Sequence, residues 1–149
     1  MAIQVDLIKI LKDLASTCRD AEEGFNKAAK GVHNDEIRAV LDKYSVERSQ
    51  FASEWDNFVR QHGGQPGDTG HGGGPLRAGW SDLEQRIRPK DDLEILQEAA
   101  TGDEGGLKHF EHALAADVPQ DIRSAAERQM QAIRSAAQRM RTHALQHQH

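Results

Sequence analysis

Apolar residues recur along this chain at alternating spacings of four and three, the period of a helix with one face buried. The first stripe reads Leu7, Leu11, Leu14, Cys18, Ala21, Phe25, Ala28 and Val32, which predicts a long helix A. A flanking stripe, Ile8, Ala15, Glu22 and Ala29, turns Glu22 toward the core side. Asn34 can cap a second helix, B, with Asp35 and Glu36 in its first turn. Its stripe is Ile37, Leu41, Tyr44, Arg48, Phe51, Trp55 and Phe58, and Arg48 interrupts it. Glu47 and Glu54 share an adjacent stripe with Val40, at the expected edge of the core.

A third helix, C, is predicted from about Asp91, with stripes Leu96, Ala99, Asp103, Gly106, Phe110, Ala113 and Leu93, Ala100, Leu107, Leu114. Asp103 stands among Gly102, Gly105 and Gly106. Each glycine costs roughly 1 kcal/mol in a helix interior relative to Ala. They point to close packing against a neighbour's aromatic ring, or to a local bulge of the kind found at functional sites. Pro119 suits the first turn of helix D, whose stripe is Ile122, Ala126, Gln129, Ile133, Ala136 and Met140. The His-rich end, residues 143–149, is expected to fray.

The connections set the topology. A to B and C to D are short, so each pair is antiparallel. B to C takes roughly 30 residues, far beyond the usual bundle connection, and can cross the ~40 Å of a 27-residue helix. It opens with a glycine-rich stretch at about 62–79 that lacks the Gly-Lys-Ser/Thr ending of a phosphate-binding loop. Ser81 and Glu84 then form a capping box for a short extra helix ended by Pro89. The expectation is a single all-α domain over residues 1–149: a ferritin-like four-helix bundle with B and C parallel across a long crossover.

Four polar positions, Glu22, Arg48, Asp103 and Gln129, then land near mid-bundle, one per helix. Measured from the A–B end they fall at roughly 16, 22, 18 and 27 Å. A buried charge must be paired, so Arg48 should contact Glu22 or Asp103. The carboxylate di-iron site of such bundles needs Glu-x-x-His on two helices. No Glu in this chain has a His three residues on. No metal site is therefore expected. Glu22, Glu47, Glu98, Asp103 and the His109/His112 pair remain weak candidates for iron or another divalent ion. The terminal histidines can chelate Ni²⁺ or Cu²⁺ weakly in vitro. Cys18 lies on the core stripe as a small hydrophobe rather than a nucleophile.

Composition narrows the classes further. The chain has 149 residues and a net charge of −5, with no basic bias toward nucleic acid. No apolar run approaches the roughly 20 residues of a membrane span, and the start lacks the pattern of a signal peptide. One cysteine excludes an internal disulfide and suits the cytoplasm.

The chain also resembles a bacterial ferritin-like family described as a four-helix-bundle domain of unknown function. The resemblance rests on Asp20-Ala21-Glu22-Glu23-Gly24-Phe25 with Ala28-Ala29, Glu47-Arg48 with Phe51-Ala52, Gly63-Gly64-Gln65-Pro66, Gly79-Trp80, Thr101-Gly102-Asp103-Glu104 and Gln129. The family pattern has Glu at the place of Asp103, a second Glu near Ala100 and a His near Ala137. Alanine at the last two positions removes ligands that a metal site would use. The resemblance implies the fold and no settled activity. Three functions stay open: a non-enzymatic bundle with a salt-bridged polar layer and a protein partner, self-association or a stress-associated role; an atypical metal-binding protein or oxidoreductase using Glu22, Glu47, Glu98, Asp103 and Gln129; and a bundle binding a small apolar or anionic ligand near Arg48.

Overall fold

Each helix boundary has a local cause. The computed structural model describes residues 2–67 and 91–146. Helix α1 spans Ala2–Gly31 and α2 Asp35–Gln61. The Asn34 side chain accepts the Ile37 N–H at 2.9 Å, as a cap does. Arg38 reaches back to donate to the Ala29 and Val32 carbonyls, which satisfies the frayed end of α1. At the far end of α2, Gly63 takes φ 86°, a left-handed turn that glycine adopts without strain. The Gly64 N–H then bonds the Val59 carbonyl at 2.9 Å. A Cβ on Gly64 would stand 2.9 Å from Val59 and 3.1 Å from Ile8. The paired glycines at this point are a helix stop and a close approach, not an anion cradle.

Helix α3 spans Asp92–Glu104, α4 Leu107–Ala115 and α5 Gln120–Gln146. Asp91 caps α3 by accepting the Glu94 N–H at 2.8 Å. The expected continuous helix C is broken at Gly105 and Gly106. Both stay right-handed, with φ −59° and −78°. The Gly106 N–H bonds Asp103, and the His109 N–H bonds Gly106, each three residues back. The turn is tightened rather than reversed, and it falls just after Asp103. Arg123 closes the next connection by donating to the Leu114 and Ala116 carbonyls. The C-terminal end also departs from expectation. Helix α5 continues through Gln146, because Ala144 extends the stripe of Ala137 and Met140 and is fully buried. His147, Gln148 and His149 lie outside the described residues.

The core divides into two apolar clusters along the helix axes. One joins Ala21–Ala29 of α1 and Val32 just beyond it with Ile37–Tyr44 of α2, Ile95–Ala100 of α3 and Ala136–Ala144 of α5. The other joins Leu7–Cys18 of α1, Phe51–Val59 of α2, Phe110 and Ala113 of α4, and Ile122–Ile133 of α5. Helices α2 and α3–α4 therefore run the same way, from the first cluster to the second, while α1 and α5 run back. The Asp92 carboxylate accepts N–H bonds from His33 and Asn34, so α3 begins against the α1–α2 turn. The connection from α2 to α3 thus joins opposite ends of an all-helical bundle, and there is no strand among the described residues. Its Gly79-Trp80 pair and the expected short helix near Ser81–Glu84 lie outside the described residues.

The first predicted stripe of α1 and the stripe of α5 are buried throughout, while the flanking α1 stripe keeps Ala15 and Ala29 buried and leaves Ile8 and Glu22 half-buried. On α2, Phe58 is only half-buried and Val59 takes its place in the core.

Candidate functional site

Arg48 sits at the boundary of the two clusters, between Tyr44 and Phe51 on α2, and is wholly buried. Its partner is Asp103, in the last turn of α3 and 3% exposed. The guanidinium grips the carboxylate with two bonds, Nε to Oδ1 at 3.0 Å and Nη2 to Oδ2 at 2.6 Å. The third nitrogen, Nη1, donates to Glu47 Oε1. Three rings enclose the cation: Phe51, Phe25 and Tyr44 have centroids 5.3, 5.5 and 5.8 Å from Cζ, within cation–π range. Bidentate pairing is the strong form of an Arg–carboxylate contact.

Burial by itself would lower the Arg48 pKa. The bonds and charges of Asp103 and Glu47 outweigh it, so the guanidinium holds its proton more firmly than a free arginine. For Asp103, burial raises the carboxyl above its ordinary range against the pull of Arg48. The carboxylate also stands at the negative end of the α3 dipole.

Gln129 is fully buried as well, yet it does not join this pair. It lies further into the second cluster and makes a network with a neutral centre. Its Oε1 accepts from Trp55 Nε1 at 2.6 Å and from Cys18 Sγ at 3.8 Å. Its Nε2 donates to Glu54 Oε1 at 2.8 Å, and Glu54 also takes a bond from Arg128. Cys18 links the two groups: it bonds Gln129 and feels the charges of Arg48 and Asp103. Burial pushes its thiol far up, so it stays protonated and unreactive in the folded chain.

Glu22 departs from the expected layer. It is half-buried, and its backbone carbonyl accepts from Ser45 Oγ at 2.8 Å. Arg48 takes Asp103 and Glu47 instead, and these occupy all three guanidinium nitrogens. The sequence pattern placed Glu47 and Glu54 at the core's edge, where they are, with side chains 35% and 31% exposed. It did not single them out as the outer ends of two buried networks. It also missed Asp56, 8% exposed and paired with Arg19 across the α1–α2 face. The available signal was Asp56 standing between Ala52 and Val59 on a buried stripe.

The weak metal candidates do not assemble. Among the described residues, no three His, Cys, Asp or Glu side chains form a group fit to hold a metal ion. Asp103 and Glu47 are tied to a guanidinium, Glu98 is half-buried on α3, His109 is half-buried and His112 is exposed. Burial lowers the His109 pKa, against the opposing charge of Asp13. This donor set does not fit a carboxylate di-iron centre.

One family profile, Domain of unknown function (DUF2383), matches residues 6–116, from α1 to the end of α4. No curated protein matches the sequence.

Proposed function

The chain belongs to the family Domain of unknown function (DUF2383), and we propose that it is a ferritin-like bundle that acts by binding rather than by catalysis. Arg48 carries this reading. A wholly buried guanidinium, with each of its three nitrogens bonded to Asp103 or Glu47 and walled by three rings, stands where a ferritin-like enzyme needs a metal and open coordination positions. It supplies the positive charge from the protein itself. The parallel run of α2 and α3 across one long connection supports the ferritin-like assignment.

A buried ion pair of this kind need not add stability over apolar residues, and its best-attested use is to fix register. In this reading Arg48 and Asp103 select one alignment of α2 against α3, and the outer helix surfaces meet a protein partner or a second copy. The setting is cytoplasmic and stress-associated. None of the described helices is long and apolar enough to cross a membrane.

Elemental analysis of untagged protein after aerobic iron loading tests the proposal. The expected iron content is far below stoichiometric. About two iron ions per chain, the di-iron complement, together with ferroxidase turnover would overturn it.

A further inference from the structure

Beside the polar layer, α2 and α5 meet along a sparsely packed seam. A cleft of about 150 Å³ opens in that seam near the α1–α2 turn. Its floor is Ile37, Tyr44, Leu96 and Met140, all buried core residues. Val40, 39% exposed, forms one lip. Arg139 forms the other, beside His143. A void of this size lined by apolar side chains accepts a benzene-sized body.

Arg139 sets the sign of what belongs there. The other arginines of α5 are engaged: Arg123 caps α4, Arg128 pairs with Glu54, Arg134 with Glu111 and Arg141 with Glu104. Among the described residues no carboxylate pairs with Arg139, although the chain as a whole is acidic, with a net charge of −5. A guanidinium fork matches a carboxylate in shape as well as in charge.

We propose that this cleft is a binding site for a small organic anion: a compact aromatic or branched carboxylate whose apolar body lies on Leu96 and Met140 while its charge meets Arg139. The site shares Tyr44 with the ring wall around Arg48 but takes its charge from Arg139, and it goes beyond the proposed function. The small volume limits the ligand to a single ring or its aliphatic equivalent, and the expected affinity for such a probe is weak, about 1 mM.

The test titrates the full-length, untagged protein with sodium benzoate and, separately, with the neutral analogue benzyl alcohol, following methyl resonances by NMR. Benzoate is expected to shift the Met140 and Leu96 methyls and to bind about tenfold more tightly than the alcohol, the worth of one charge-assisted contact. Arg139→Gln, at an exposed position, should bring benzoate down to the level of the alcohol and leave the alcohol unchanged. Val40→Phe narrows the mouth and should weaken both. Equal binding of the two probes, benzoate binding indifferent to Arg139→Gln, shifts confined to methyls elsewhere, or no binding of either probe would each overturn the proposal. The last result means that the cleft is filled by the protein itself.

Discussion

Two polar groups lie inside the same core, and they are built on opposite principles. The Arg48–Asp103 pair is ionic and closes on itself at the boundary of the two apolar clusters. The Gln129 network is neutral at its centre and sits inside the second cluster, where one side-chain amide serves Trp55, Cys18 and, at the rim, the Glu54 carboxylate. Both are wholly buried at their centres, and both end on a half-exposed glutamate of the same α2 stripe, Glu47 for one and Glu54 for the other. The difference lies in what is stranded when a member is removed. Losing Asp103 leaves a full charge in a low-dielectric interior. Losing Gln129 leaves a neutral indole N–H and one carboxylate oxygen that can still turn toward water.

The ionic group should therefore show the largest effect. Asp103→Ala is expected to cost roughly 3–5 kcal/mol, the range for breaking a buried pair from one side, and Arg48→Ala a similar amount. Urea unfolding measures both. The double change Arg48→Met with Asp103→Leu should recover much of the loss, because it strands no charge. A cost under about 0.5 kcal/mol for Arg48→Ala, typical of a surface site, would break the comparison at its root. Gln129→Leu should cost about 1–3 kcal/mol, the penalty for leaving a buried donor unpaired. An equal loss at Gln129 and Asp103 would mean that charge is not what separates the two groups.

The outer glutamates come next. Glu47→Gln and Glu54→Gln should each cost at most about 1 kcal/mol, since their side chains are about a third exposed and water replaces much of what is lost. A double-mutant cycle between Glu47 and Arg48 isolates that contact. A coupling as large as that of Arg48 with Asp103 would show that the ionic group is a triad rather than a pair with a rim.

The apolar stripes made the helices legible, and Arg48 stood out because a long cationic side chain broke a run of Ile, Leu, Tyr, Phe and Trp. Its need for a carboxylate partner was legible too, but only as far as Glu22 or Asp103, and the structure selects Asp103. What the stripes could not supply was which partners each buried polar group would take. Residue counting set Gln129 roughly 5 Å beyond Arg48 along the bundle, but it did not show that Gln129 would turn to Trp55, Cys18 and Glu54 instead of joining the ion pair. Glu22 lost its expected place to Asp103 and Glu47, which between them bond all three nitrogens of the guanidinium. The break at Gly105–Gly106 was hidden for a further reason. Glycine in a helix reads equally as close packing or as an altered turn, and the outcome depends on neighbours distant in sequence.

The smallest expected effect contrasts two aspartates of one helix. Asp103, at the C-terminal end of α3, has its carboxyl raised by burial. Asp92, at the N-terminal end, goes the other way. Burial is the largest single influence and would raise it, but the N–H bonds from His33 and Asn34 and the nearby His33 ring together outweigh that and lower it. The α3 dipole favours a negative charge at this end. The sign follows from linkage. A carboxyl whose folded pKa lies below its unfolded value, near 3.9, contributes stability that is fully present above the unfolded pKa. That contribution is lost as pH falls through the lower, folded value. Asp92→Asn should therefore be less stable than the parent at neutral pH, and the gap should close in acid, below the folded pKa. Urea midpoints for the two proteins across that range give the measurement. A gap that stays constant into acid would mean that Asp92 holds the α1–α2 turn by shape alone, and that its charge contributes nothing to joining α3 to that turn.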